Sequence, residues 1–367
     1  MPKAPSMTDS VALPFSLPNR PKVTQIRKRD AAELKAPGRE RTQPMDGFEP
    51  HFTDIVDYIV RITEEIWVDR AVGRIYDTYD HACTIYSHYG VVRSVEEVIA
   101  STVTTLNGFP DGEPHHVNVA WSGDSAVGFY TSHLGFSRST NLGRSAYGPA
   151  TGAKVGLHFA ADCVSKDNLI HTEWLVRDNG ALVRQLGFDP DNVARDIAER
   201  GNTRNRFVNS PETRLVGQTP RAPLDIDAGT PEGYVRTLFH DIWNLRRLDR
   251  MADHYDADMI LHAGGGREAQ GLRNASALYL SVMAAIPDGV MRVQNVCWSE
   301  ETDGPILAVR WLLEGSSARG GVLGDAVPVG RPVAMMGVSH LRFEGGRIVE
   351  EWMIFDEIGV MAQAWSD

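Results

Sequence analysis

The chain has 367 residues, 42% of them hydrophobic and 23% charged, the composition of an ordinary globular protein long enough for two or three domains. Its 48 acidic residues against 37 Lys and Arg give a net charge of −11, which excludes a general binder of nucleic acid or anionic membrane, because no cationic surplus exists to neutralise phosphates. Three scattered cysteines (Cys83, Cys163, Cys297) exclude a disulfide framework or cysteine zinc site, and no apolar run suits a bilayer span or a signal-peptide core, so the cytoplasm is the expected compartment.

Residues 1–50 interleave prolines (Pro2, Pro5, Pro14, Pro18, Pro21, Pro37, Pro44, Pro50) with charges such as Arg27-Lys28-Arg29-Asp30. This composition predicts an extended arm, mobile or draped over a neighbour, and a candidate contact for a homo-oligomer. The plainer reading is a solvated tail.

Ile55, Ile59, Ile62 and Ile66 recur at helical spacing and predict an amphipathic helix. A short helix is expected over 74–79, and Ser94-Val95-Glu96-Glu97 has the form of a capping box opening a third. The pattern then turns to β-prone runs at 117–121, 126–132, 155–164 and 169–177, with Lys166-Asp167-Asn168 as a hairpin turn. Helices first and a meandering sheet afterwards is an α+β order. Residues 190–229 read as a linker with a helical piece at 191–200. Thr230-Pro231 then opens another helix, with Thr230 as N-cap and Pro231 at the first turn.

From there the chain repeats itself. Asp241-Ile242-Trp243 answers Glu65-Ile66-Trp67 at an offset of 176, and Pro287-Asp288-Gly289 answers Pro110-Asp111-Gly112 at 177. Glu351-Trp352-Met353-Ile354-Phe355-Asp356 answers Glu173-Trp174-Leu175-Val176-Arg177-Asp178 at 178. The order never breaks, so the expectation is a tandem of one domain, 51–189 and 230–367. In 333–343 both alternating sets are apolar, which predicts a sheet covered on both faces.

These features resemble the SnoaL-like branch of the NTF2-like superfamily, polyketide cyclases among them. Gly148-Pro149-Ala150-Thr151-Gly152 looks like its Gly-x-Pro-Ala-Thr-Gly loop, and Trp174-x3-Asp178 followed by Arg184-Gln185-Leu186-Gly187 looks like its ending. The resemblance implies two cone folds, each a curved antiparallel sheet around helices with a blind apolar pocket, packed as an intramolecular pseudo-dimer. It also implies that Asp356 and Asp178 are general acid/base groups. The family often has His before the Trp, where this chain has Glu351 and Glu173.

An Asp in an apolar pocket has its pKa raised by desolvation, which suits proton transfer near neutral pH, although such an Asp can equally cap a helix or pair with Arg. Beside Asp356 and Asp178, the candidate catalytic residues are His262, Arg310 and His340; Arg310 can hold a carboxylate or enolate or equally serve as a buried partner for Asp356 or Glu351, and His262 can equally be a structural strand residue. Trp352, Glu351, Trp311, Trp174, Glu173, Tyr86 and His133 are the candidate substrate contacts. Tyr86 stands where the second repeat has His262, so the two pockets are not expected to act alike, and the second is expected to be the richer. His115-His116 reads as a turn. The segments 135–152 and 315–332 read as lids or interface loops. No cofactor or metal is called for. The expected function is a cofactor-independent acid/base enzyme (cyclase, isomerase, dehydratase or hydrolase) acting on a small carbonyl or hydroxylated molecule. The alternative is a non-catalytic module with two degenerate pockets that binds a ligand or a partner.

Overall fold

The computed structural model describes residues 12–27, 29–34, 36, 40–201 and 224–366, so most of the linker after the helical piece lies outside the described residues. In chain order the first half holds α1 (Ala31–Leu34), α2 (Ile55–Trp67), α3 (Arg74–Thr78), β1 (Tyr79–Ser87), β2 (Gly90–Val92), α4 (Val95–Gly108), β3 (Glu113–Asp124), β4 (Gly128–Thr140), β5 (Lys154–Lys166), β6 (Leu169–Arg177) and α5 (Asn179–Gln185). The helical piece is α6 (Pro190–Glu199). The second half holds α7 (Pro231–Phe239), α8 (Met251–His254), β7 (Tyr255–Ala263), β8 (Arg267–Gln270), α9 (Leu272–Ala285), β9 (Val290–Glu301), β10 (Gly304–Ser316), β11 (Pro332–Glu344), β12 (Arg347–Phe355) and α10 (Glu357–Trp365). No described helix is long and apolar enough to cross a membrane.

Local chemistry explains the ends of these elements. Asp54 caps α2 by accepting from the Asp57 amide at 2.9 Å, and Thr230 caps α7 from the Gly233 amide at 3.1 Å, with Pro231 at the first turn. Ser94 caps α4 from the Glu97 amide at 3.2 Å. Asp167 and Asn168 both take positive φ (51° and 69°), which closes the β5–β6 hairpin tightly. His115 and His116 belong to β3 rather than to a turn.

The sheet corrects the expectation of two cones forming a pseudo-dimer. The twelve described strands form one open sheet in the order β2-β1-β6-β5-β4-β3-β9-β10-β11-β12-β7-β8, with β2 and β8 as its edges. An open sheet with free edges is not a closed or tightly curled wall. The physical reason is the junction: β3 and β9 pair through Trp121 and Trp298, so the ladder runs on from one half into the other. The order reads alike from both edges, and strands in matching places have equal lengths except β2 and β8.

Both faces of β11 are buried. Met335 and Phe343 join the second-half core, while Ala334, Met336 and Val338 meet Leu134, Ala160 and Val176 of the first half. The described part of the arm lies on its own chain. Met45, Phe48 and Phe52 complete the first-half core under α2, and Phe15 enters the second-half core.

Arg20 of the arm fastens the junction. Its guanidinium donates to the carbonyls of Trp121 (2.7 Å) and Trp298 (2.6 Å) and lies 4.3 and 4.6 Å from the centroids of their rings. Arg20→Ala should therefore destabilise the chain by about 2–3 kcal/mol, from two charge-assisted hydrogen bonds and two cation–π contacts. Urea unfolding measures this; an unchanged midpoint would show the arm to be passive.

Candidate active site

A cavity of about 630 Å³ lies in the first half, between α2, α4 and the sheet. Its apolar walls include Ile62, Ile66, Trp67, Leu157, Phe159 and Leu175. The matching interior of the second half is packed with side chains instead. Tyr279, Trp311, Val309, Val293 and Phe355 are buried or half-buried there, and they stand at the same steps along matched elements as Thr102, Gly135, His133, His116 and Arg177. Val322, Leu323 and Val327 of the loop before β11 add further bulk. In the first half the loop before β5 instead lends Ser145, Ala146 and Tyr147 to the cavity wall. Tyr279, where the first half has Thr102, and the loop residues Val322, Leu323 and Val327 fill the second interior, while the first interior stays open among the described residues. The richer cavity is thus not in the second half, where the repeat pattern placed it.

Asp356 lines this cavity, although it follows the last strand of the other half. It directly follows β12, and its Oδ1 accepts from the Gly359 amide at 3.2 Å, capping α10. Its Oδ2 accepts from Asn179 Nδ2 at 2.5 Å, and Tyr89 also hydrogen-bonds to it. Asn179 Nδ2 in turn lies 3.0 Å from the Tyr89 hydroxyl, and Tyr147 hydrogen-bonds to Tyr89. Asp356 is 2% exposed. Burial pushes its carboxyl up to about 7, against the opposing hydrogen bonds from Tyr89, Asn179 and Gly359. The result is a carboxyl able to gain or lose a proton near neutrality, beside two phenols that burial keeps protonated.

Two other expected residues line the same cavity. Glu173 accepts from the Tyr79 hydroxyl at 3.0 Å, and burial raises its pKa. His133 holds His116 at 2.9 Å. Arg177 also faces the cavity; its guanidinium lies 5.7 Å from the Trp67 ring centroid and has no ion pair among the described residues.

The remaining expected residues lie elsewhere. Asp178 caps α5 and accepts from the amides of Gly265 (2.6 Å) and Gly266 (2.9 Å), a backbone cradle from the β7–β8 turn. Arg310 lies where the halves meet, 3.5 Å above the Trp174 ring and 4.0 Å from Asp162, which is fully buried. His340 bridges Asn118 (2.9 Å) and Ser132 (3.0 Å) across the same contact, and burial lowers its pKa to about 3. Tyr86 stacks on Trp174. His262 sits between Glu268 (2.8 Å) and Glu350 (3.3 Å) and stacks on Trp352; burial pulls its pKa down, but the two carboxylates hold it above the ordinary value. Glu351 accepts from Tyr279 (2.6 Å) and Tyr255 (3.1 Å), and Trp311 donates to Ser339 (3.1 Å), all within the second-half core.

Tyr89, Tyr147, Asn179, Arg177, Glu64 and His116 were not among the sequence candidates. Tyr147 adjoins the Gly-Pro-Ala-Thr-Gly loop and Asn179 follows Asp178, so local motif context pointed near both. Nothing in the sequence linked Tyr89 to Asp356, because that contact joins residues far apart in the chain. Among the described residues no group of three or more His, Cys, Asp or Glu is placed to hold a metal ion.

Residues 234–364 match the model of the SnoaL-like polyketide cyclases. The chain has no match among curated proteins. Among solved structures it is similar to a protein from Jannaschia sp. CCS1 named for a SnoaL-like polyketide cyclase, at 18% identity over 42% of this chain and 100% of the other (TM-score 0.34). It is also similar to TsrD from Streptomyces laurentii, at 15% identity over 36% of this chain and 97% of the other (TM-score 0.32). A SnoaL-like polyketide cyclase from Agrobacterium tumefaciens shows 21% identity over 35% of this chain and 91% of the other (TM-score 0.28).

Proposed function

We propose that the chain is an acid/base enzyme that carries out proton transfer on a small carbonyl or hydroxylated organic molecule held in the first-half cavity. The observation that carries this is Asp356, a buried carboxyl on the wall of an apolar cavity of about 630 Å³ with two phenols beside it. A protonated Tyr89 or Tyr147 can donate to an oxygen on which charge develops while Asp356 takes or returns the proton. Arg177, which has no ion pair among the described residues, supplies a handle for a carboxylate or enolate oxygen. The match of residues 234–364, which include Asp356, to the SnoaL-like polyketide cyclases supports small-molecule chemistry; cyclisation, isomerisation, dehydration and hydrolysis are the forms this reading admits.

We read the chain as two copies of one domain, 51–189 and 230–367, that have divided their tasks. The first keeps an open interior; the second fills its own and contributes Asp356 across the contact.

Thr102→Tyr tests the site. Thr102 lines the cavity, and Tyr279 at the matching step of α9 fills the other interior. The variant should stay folded and lose the ligands that native mass spectrometry finds on the wild type in a library of small carbonyl compounds. Equal ligand occupancy in both proteins would remove the cavity as the binding site.

A further inference from the structure

We infer that Glu64, His116 and His133 form a second proton-transfer site in the cavity, with His133 as the catalytic residue that meets the substrate. This rests on the acid/base reading of the cavity and adds a second group to it.

The three residues form one line through the protein. Glu64 Oε1 on α2 lies 3.0 Å from His116 Nε2 on β3, and His116 Nδ1 lies 2.9 Å from His133 Nε2 on β4. All three are buried (2%, 6% and 2% exposed), and His133 reaches the cavity. The Nδ1 of His133 has no hydrogen bond among the described residues. A carboxylate at Glu64 can only accept, so His116 carries its proton on Nε2 and presents a lone pair at Nδ1. His133 then donates from Nε2, which leaves the lone pair of its own Nδ1 free. Burial, with His116 and His340 nearby, holds His133 well below its ordinary pKa and hence neutral.

The proton step balances. His133 Nδ1 takes a proton from a substrate C–H or O–H, whose electron pair stays on the substrate as enolate or alkoxide. The Nε2 proton of His133 moves to His116 Nδ1, so the positive charge comes to rest on His116, beside the Glu64 carboxylate. The return of the proton runs the chain backwards. His116 and Glu64 are positioning residues in this scheme.

A purely structural network would be expected in both halves of the fold. The steps matching His116 and His133 are Val293 and Val309, so these strands pack without the imidazoles. The two imidazoles occur where the cavity is open and are replaced by valines where the interior is filled, while the step matching Glu64 holds another buried polar side chain, His240.

The test uses the full chain in two ways. Long-range ¹⁵N NMR of histidine-labelled protein at pH 7 should show His133 neutral with its proton on Nε2; a proton on Nδ1, or a doubly protonated ring, would overturn the inference. Second, a panel of small carbon acids (2-oxo acids, 1,3-diketones, β-keto esters) is incubated in D₂O and followed by proton NMR. Wild type should exchange at least one. His133→Ala should be slower by about 10²-fold or more, with partial recovery on adding imidazole, which the cavity can admit. His133→Ala exchanging at the wild-type rate while Asp356→Asn does not would remove His133 and leave the cavity reading standing. Exchange at the wild-type rate in both variants, or no exchange by wild type, would overturn both.

Discussion

Asp356→Asn should lower turnover in the first-half cavity by about 10²- to 10⁴-fold, the range for removing a positioned acid or base. The chain should stay folded, because Asn can still cap α10 through the Gly359 amide and can still meet Asn179 and Tyr89. The same variant has a pH signature. Asp356 is raised from 3.8 to about 7 on folding, so its contribution to stability is fully present below pH 4 and is lost as pH rises through 7. Asn does not ionise. The melting temperature of Asp356→Asn relative to wild type should therefore climb between pH 5 and pH 8. A difference independent of pH would mean that Asp356 is charged in the native state throughout. Full turnover in the folded variant would remove the acid/base role from Asp356.

Arg310→Met should destabilise the chain more than Arg20→Ala does, by about 3–5 kcal/mol, the cost of leaving a buried charge without its partner. Asp162 is 0% exposed and accepts from Ser132 at 2.5 Å and from Tyr130, while Arg310 stands 4.0 Å away and donates to the Tyr130 hydroxyl at 3.2 Å. Burial raises the Asp162 pKa, and the Arg310 charge opposes that rise. Asp162→Asn combined with Arg310→Met removes both charges and should recover much of the loss, which guanidinium unfolding of the two single variants and the double would show. If Arg310 instead held a substrate anion, Arg310→Met would be as stable as wild type and defective only in binding.

The two predictions separate residues that look alike in the sequence. Asp356 and Asp178 share a motif, and both cap a helix after a Glu-Trp strand. What each faces differs. The turn opposite Asp178 offers the amides of Gly265 and Gly266, which bind its carboxyl oxygens and oppose the rise in pKa that burial imposes. The matching turn opposite Asp356 offers the Tyr89 hydroxyl and lies at a cavity wall.

Periodicity, caps and turn residues located most helices, the middles of the strands and the α+β order, because those signals act within a few residues of each other; β3 and β4 run on through residues read as a turn (115–116) and as a lid or interface loop (135–140). The apolar faces of 333–343 likewise foretold a strand buried on both sides. Three things were left to the tertiary structure. The ladder between Trp121 and Trp298 makes one open sheet of what pattern alone divided into two cones. Which interior stays open depends on all the walls together, with Tyr279 filling the second interior at the step where Thr102 lines the first. The surroundings of Asp356 and of the Glu64–His116–His133 line come from strands and turns distant in sequence. Desolvation and hydrogen bonding depend on what surrounds a group in space, and a linear pattern does not carry that.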